Sequence, residues 1–263
     1  MQLSGTDPVG ACFLLLCVSS CCFAQPQSEL RAPPLLAPAE GERQARALVA
    51  RLLAQTPDQP STNAGVLRIR DANGSQRSVP VQFEIVPTPT NWLNIYKSSG
   101  PSSEKLAIIH AKNEANQYWL LKSSATNQAP PSPQPMATKA LMVPFAGSDF
   151  WLADLGLEFL HWPQQRVLKT QMRKGLSCNV LQSVNPQPGV NGYSRVLSWI
   201  AISRPEDIVI VHAEAYDPRD KLLKEFDPKK VEKVNGVWQL EEMEIRNRQT
   251  GSRTKIEFEL NGQ

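Results

Sequence analysis

Short segments in which apolar and polar residues alternate run from Gly65 onward, and this pattern constrains the fold more than any other feature. Alternation with a period of two is typical of β-strands that have one buried face. The first two segments flank "ANGS" (72–75), whose Asn-Gly step favours a tight hairpin. Turn residues of the same kind separate the later segments, and no helices alternate with them. The sequence therefore predicts a mainly β (α+β) fold in which about eleven strands form one curved antiparallel sheet.

Several of the predicted strands carry apolar residues on both faces, as in "KLAIIHA" (105–111) and "DIVIVHAEAY" (207–216). Such a sheet needs a cover, and two segments have the composition to supply it. The first, residues 40–55, places Ala45, Leu48, Val49, Leu52 and Leu53 at helical spacing with arginines between them, which indicates an amphipathic helix. The second is residues 147–163, "GSDFWLADLGLEFLHWP", which we call the lid segment.

The lid segment is predicted to be one helix that starts at Ser148 or Asp149 and ends at Pro163. On a helical projection the polar residues occupy one narrow side, and apolar or aromatic side chains fill the rest. An ordinary surface helix is apolar over only part of its circumference. Two interpretations follow: the helix is wedged into the core, or it is a lid whose inner face contacts a bound hydrophobic molecule.

Asp154 and Glu158 are spaced i, i+4 on this predicted helix. The spacing is compatible with a solvated polar stripe. It is also compatible with a pair of carboxylates that bind arginine or lysine at the rim of the sheet and latch the lid shut. Paired carboxylates can also perform acid–base chemistry.

Residues 140–263 resemble the bacterial outer-membrane lipoprotein-sorting proteins, relatives of the periplasmic carriers LolA and LolB. The resemblance rests on "PFAGSDFWLADLGLEFLHWP" (144–163), "YSRVLSWI" (193–200) and "VWQLEEMEIRNRQTGSRTKIEFEL" (237–260). It implies an incomplete antiparallel β-barrel wrapped over a helical lid, with a hydrophobic cavity for acyl chains between them. The implied partners are lipids or lipoprotein acyl chains and the lipoprotein machinery of the inner or outer membrane. The implied function is lipoprotein sorting; a lipid-sensing module that reports occupancy to a partner protein is the alternative.

The apolar and aromatic residues of the lid segment and its surroundings are the candidate lipid-binding residues under this interpretation, with Asp154 and Glu158 as the candidate latch. The lipid-binding candidates are Phe145, Phe150, Trp151, Leu155, Phe159, Trp162 and Trp199.

The sequence contains none of the nucleotide-binding, metalloprotease or hydrolase motifs that would indicate an enzyme. His110, His161 and His212 lie in separate segments, so no metal site is predicted, and no cofactor is expected. A net charge of +3 without a basic block gives no support for a nucleic-acid partner. We therefore expect a binding protein, and most simply a monomer.

The N-terminal run "ACFLLLCVSSCCFA" (11–24) predicts a signal peptide over residues 1–24 and a periplasmic location. Alternatively, Val18-Ser19-Ser20-Cys21 fits a lipid anchor at Cys21. A proline-rich linker (25–39) and a single LolA-like lipid-binding domain (40–263) follow. Four of the five cysteines fall in the predicted signal, so Cys178 is expected to remain as a free, poorly reactive thiol.

Overall fold

The computed structural model describes residues 33–100, 103–112, 114–123, 135–204, 207–234 and 237–260. The predicted signal peptide, Cys21 and the first part of the linker lie outside the described residues. Within the described ranges, no helix is long and apolar enough to cross a membrane.

In the described part of the chain, twelve strands form one sheet in which every neighbouring pair is antiparallel. The mainly β antiparallel prediction is confirmed, with one strand more than the approximate count. The strands are β1 (Ser61–Arg70), β2 (Gln76–Pro87), β3 (Asn91–Ser98), β4 (Glu104–Ala111), β5 (Gln117–Lys122), β6 (Gln164–Arg173), β7 (Leu176–Val184), β8 (Arg195–Ile202), β9 (Ile208–Tyr216), β10 (Leu222–Val234), β11 (Val237–Asn247) and β12 (Arg253–Glu259).

The strand order is β5-β4-β3-β2-β1-β12-β11-β10-β9-β8-β7-β6, so all neighbours but one are consecutive in sequence. The exception is the pairing of β1 with β12, which joins two meanders into a single sheet. The free edges are β5 and β6, and the chain between them contains the lid segment. The second half of the lid segment contacts both edges, because Glu158 accepts a hydrogen bond from Tyr118 of β5 and the Leu160 carbonyl accepts one from Gln165 of β6.

Helix α1 (Pro38–Leu53) covers part of the sheet beside β6. Of the five residues that the helical spacing selects, Ala45, Leu48 and Val49 are buried, whereas Leu52 is half-buried and Leu53 is exposed. Close approach to the sheet requires a glycine at position 41, because a Cβ there would lie 2.4 Å from the Val167 carbonyl oxygen. The helix predicted at 40–55 is thus present, displaced by two residues.

The lid segment is not one helix, and that prediction is wrong. A single turn, α2 (Leu152–Leu155), and a 3₁₀ turn (Glu158–His161) are separated by Gly156 and by Leu157, whose φ is +49°. A side chain at position 156 would place its Cβ 2.1 Å from the Tyr118 hydroxyl. The tight contact with β5 therefore breaks the helix where the sequence has glycine.

Side chains in or next to the sheet also bond backbone carbonyl groups of the lid segment, and the carbonyl of Gly156 is one that a continuous helix would bond internally. Asn116 Nδ2 donates to the Gly156 oxygen at 2.8 Å, and Gln165 Nε2 donates to the Leu160 oxygen at 2.8 Å. These hydrogen bonds satisfy the backbone without a helical ladder. Tertiary contacts, which periodicity cannot reveal, thus determine the local structure.

A second, smaller apolar cluster lies on the outer face of β7, β8 and β9. It contains Cys178, Val180 and Trp199, and the Arg173 guanidinium lies 5.1 Å from the centre of the Trp199 ring. Trp199 was expected beside the lid. The structure places it on the opposite face, because the inner positions of β8 are taken by Val196 and Ile200 of the main core.

The thiol of Cys178 is buried, and burial raises its pKa. In the folded full-length chain, we expect a maleimide to modify Cys178 at least about a hundredfold more slowly than in denaturant, because local opening must precede reaction. Mass spectrometry of the peptide containing Cys178 measures the rate without interference from the N-terminal cysteines. Equal rates in the folded and denatured states would contradict the prediction.

Candidate functional site: the anchored lid segment

Lys224 of β10 points to the inner face of the sheet, and its side chain is fully buried. Its Nζ donates to the Asp149 carbonyl oxygen at 2.6 Å and to the Asp154 carboxylate at 3.3 Å. The same ammonium lies 3.5 Å from the centre of the Trp151 ring, a cation–π distance. One lysine of the sheet thus contacts three consecutive parts of the lid segment.

Asp154 accepts hydrogen bonds from the backbone N–H of Trp151 at 2.8 Å and from the Tyr193 hydroxyl at 2.9 Å, in addition to Lys224. The Tyr193 ring stacks on Trp151, with 4.7 Å between ring centres and 17° between planes. A buried carboxylate is costly unless it is paired and hydrogen-bonded. This network satisfies Asp154 and connects the first turn of the lid segment to β10 and to Tyr193, two residues before β8.

Asp149 anchors the same end of the lid segment to β12. Its two carboxylate oxygens accept hydrogen bonds from the hydroxyls of Ser252 (2.6 Å) and Thr254 (2.8 Å). The backbone N–H of Asp149 donates to Thr254 Oγ1 at 2.9 Å. The sequence indicated Asp149 only as a helix cap, whereas the structure shows that it connects the lid segment to the strand at the seam of the two meanders.

Burial raises the pKa of Asp154, and the nearby Lys224 opposes that shift. Burial also lowers the pKa of Lys224 to about 8, although the charges of Asp154 and Asp149 act in the other direction. Desolvation therefore favours the neutral form of each partner, and the mutual attraction favours the charged pair. The hydrogen bonds that converge on both groups support the ion pair.

Glu158 belongs to a separate contact in the second half of the lid segment. It is buried in the 3₁₀ turn, and its Oε2 accepts a hydrogen bond from the Tyr118 hydroxyl at 3.0 Å. Burial raises the pKa of Glu158 to about 7, although the hydrogen bond from Tyr118 lowers it. The interpretation of Asp154 and Glu158 as a solvated stripe is therefore wrong. Neither lies at an exposed rim, and they contact different strands.

Most of the candidate lipid-binding residues pack in the main core of this structure. Phe145, Phe150, Phe159 and Trp162 are buried there, and Trp151 and Leu155 pack against it with partial exposure. The lid segment thus places its own apolar side chains on the inner face of the sheet. A ligand on that face would have to replace these side chains.

Inner-face aromatic residues of β2 and β3 also border the lid segment, and they are not among the residues predicted from the sequence. Phe83 stacks on Tyr96 with 4.7 Å between ring centres, and the Tyr96 hydroxyl donates to the Leu155 carbonyl oxygen at 3.4 Å. Trp92 stacks on His110 at 4.8 Å, and burial lowers the pKa of His110 to about 4, so this imidazole is neutral at physiological pH. These side chains are half-buried and extend the apolar inner face beyond Leu155. The alternation of apolar and polar residues over 83–96 is the sequence pattern that could have identified them.

The site has no obvious catalytic or metal-binding arrangement among the residues described. No three His, Cys, Asp or Glu side chains in those ranges are grouped so as to hold a metal ion. His212 contacts Arg173 and Glu214 on the outer face of the sheet, away from the lid segment.

The fold is similar to three solved structures. An outer-membrane lipoprotein-sorting protein domain from Vibrio parahaemolyticus matches with a TM-score of 0.66 and 17% identity, over 84% of this chain and 91% of that one. A DUF1329 family protein from Desulfovibrio piger matches with a TM-score of 0.65 and 15% identity, over 83% and 91%. A LolA superfamily protein from Nitrosomonas europaea matches with a TM-score of 0.56 and 14% identity, over 84% and 92%.

These matches define the class of the protein as one with the LolA-like fold, in agreement with the resemblance found in the sequence. A family model described as "-like: Uncharacterized protein" matches residues 105–260, more than half of the chain, and the chain belongs to that family. The comparison with curated proteins gives no match.

Proposed function

We propose that the protein binds the acyl chains of a lipid or lipoprotein on the inner face of its sheet, beneath the lid segment, and carries them through the bacterial periplasm without catalysis. The observation that carries the proposal is the lid segment itself. It is strongly apolar, it contacts both free edges of an open sheet, and its buried anchors are a few polar contacts. The fold shared with an outer-membrane lipoprotein-sorting domain supports the location and the role in sorting.

The energetics are those expected of a reversible carrier. Each CH₂ group that leaves water contributes about 0.8 kcal/mol to binding. Because the lid segment already covers the inner face, an incoming chain replaces apolar contacts rather than hydrated surface. Displacing Phe150, Phe159 and Trp162 therefore reduces the net free energy of acyl-chain binding. The remaining affinity is low enough for a partner with a better apolar site to take the cargo.

We expect delipidated protein to bind a fluorescent long-chain fatty acid saturably, with one class of site. Fluorescence titration measures the binding, and unlabelled fatty acid should displace the probe. Short-chain acids of the same charge should compete poorly, because affinity depends on buried CH₂ groups. Protein that is folded by circular dichroism and shows no saturable binding would contradict the proposal.

A pair of variants in the lid segment locates the binding face. Leu155→Asp places a charge against the inner face, and we expect it to weaken fatty-acid binding at least about tenfold. Leu157→Asp is the matched control, because Leu157 is two residues away and 42% exposed. Thermal unfolding of both variants reports their stability. If Leu155→Asp binds as well as the control while folded, the inner face is not the binding site.

A further inference from the structure

Three arginines stand side by side across the seam of the sheet. Arg70 of β1 lies directly opposite Arg253 of β12, and Arg253 lies directly opposite Arg246 of β11. Directly opposite residues of antiparallel strands share a face, and here it is the outer face, because Ile69 and Ile245 are in the core. Like charges placed opposite each other destabilise a sheet, and Glu244 of β11 offsets only part of the repulsion in this row.

In the neighbouring row on the same face, the cationic side chains are all paired with carboxylates. Arg68 pairs with Glu257 at 2.6 Å, and Lys255 contacts Glu242 at 2.9 Å and Glu257 at 3.1 Å. Every cation of that row therefore has a carboxylate.

The arginine row has fewer carboxylates than cations. Arg246 and Arg253 share the single carboxylate of Glu244, at 2.5 and 4.0 Å. Arg70 forms no ion pair within the ranges that the structure describes. The row therefore carries more positive charge than the carboxylates of the sheet neutralise.

The row borders a cleft of about 400 Å³ between the β1–β2 turn and the β11–β12 turn. Besides the three arginines, Arg248 and Asp71 contribute charges to its lining, so the lining carries four arginines and one carboxylate. Arg248 is paired with Glu225. The volume is within the range of sites for small organic ligands, and the charge selects an anion.

We propose that this cleft binds the phosphoryl group of a phosphate ester. Guanidinium groups donate in a fixed fork that fits phosphate and carboxylate oxygens. Donors that arrive from three neighbouring strands suit the several oxygens of one tetrahedral group better than a single planar carboxylate. The three arginines of the row are on the outer face, although Ser252, which also lines the cleft, donates to Asp149 of the lid segment. Phosphate binding by these arginines does not require acyl-chain binding on the inner face.

The ester can belong to a soluble metabolite or to the headgroup of an anionic phospholipid, and three probes distinguish these sources. Isothermal titration calorimetry of the full chain at low salt uses inorganic phosphate and glycerol 3-phosphate. Co-sedimentation uses vesicles of phosphatidylcholine with and without phosphatidylglycerol. Binding of the small phosphates identifies a soluble ester as sufficient. Binding to phosphatidylglycerol vesicles alone identifies a headgroup at a membrane surface.

Variants then test the residues. Arg70→Gln combined with Arg253→Gln should weaken binding of the responsive probe at least about tenfold, and added salt should weaken binding to the unaltered chain. Arg68→Gln is the matched control from the same face of β1, and its affinity should stay within about twofold of the unaltered chain. Thermal unfolding confirms that each variant is folded. The proposal is overturned if no probe binds, if acetate competes as well as phosphate, or if the control loses binding equally.

Discussion

Replacing Lys224 with methionine is expected to lower the free energy of unfolding by about 3–5 kcal/mol, the usual cost of leaving a buried charge without its partner. Methionine keeps an unbranched apolar stem in the space of the lysine but leaves the Asp154 carboxylate without a cation. It also removes the hydrogen bond from the ammonium to the Asp149 carbonyl oxygen. Denaturant unfolding followed by circular dichroism measures the loss.

Two further variants show whether the loss arises from the ion pair. Lys224→Met with Asp154→Asn should recover a large part of the stability, since the asparagine oxygen can still accept from Tyr193 and carries no charge. Lys255→Met is the control, because Lys255 is one-third exposed and paired with glutamates; its cost should be about 1 kcal/mol or less. Additive losses in the double variant would show that Lys224 and Asp154 do not stabilise each other.

The stability of the protein should fall between about pH 4.5 and pH 7 because of Glu158. Its pKa is raised from 4.5 to about 7, so the folded state holds the proton more tightly than the unfolded state. The stabilisation from protonation is complete below the unfolded pKa and is lost as the pH rises through the folded pKa. At 1.36 kcal/mol for each unit of pKa, the loss is on the order of 3 kcal/mol.

Substitution isolates this contribution from the other titrating groups. Glu158→Gln should remove that part of the pH dependence, so the variant gains stability relative to the unaltered chain as the pH rises from 4.5 to 8. Tyr118→Phe should move the midpoint to higher pH, because the lost hydrogen bond had favoured the carboxylate. Urea unfolding at a series of pH values provides the comparison. Parallel curves for the unaltered chain and Glu158→Gln would contradict the assignment.

The strands and the first helix could be predicted because their periodicity reflects burial against one large partner. Ala45, Leu48 and Val49 face the sheet as their spacing requires. The lid segment could not be predicted in the same way, since Tyr118 of β5 and Asn116 just before that strand determine where its backbone turns. Composition still indicated that it would be covered.

Individual site residues were harder to predict than the elements that carry them. Trp199 lies in a strand with apolar residues on both sides, so alternation could not assign its face, and an irregularity between Trp199 and Ile200 shifts the register there. Lys224 stands in "KLLKEF" (221–226) among charged neighbours, and nothing local distinguishes a buried lysine from an exposed one. Only the fold brings it to Asp154, so the central residue of the network was missed.

The seam between β1 and β12 has a consequence for how the chain acquires its structure. Each meander is built from hairpins between consecutive strands, whose local contacts can form early. The seam, in contrast, pairs Ala64 with Glu259, which lies near the other end of the domain. Pairings so distant in sequence slow folding, because the intervening chain must lose conformational entropy before the two strands make their contacts. Thr254 of β12 also holds Asp149, so the lid segment cannot be fully anchored until the last strand is in place. The two meanders should therefore fold first and independently. The pairing of β1 with β12 should follow, and the lid segment should be anchored last.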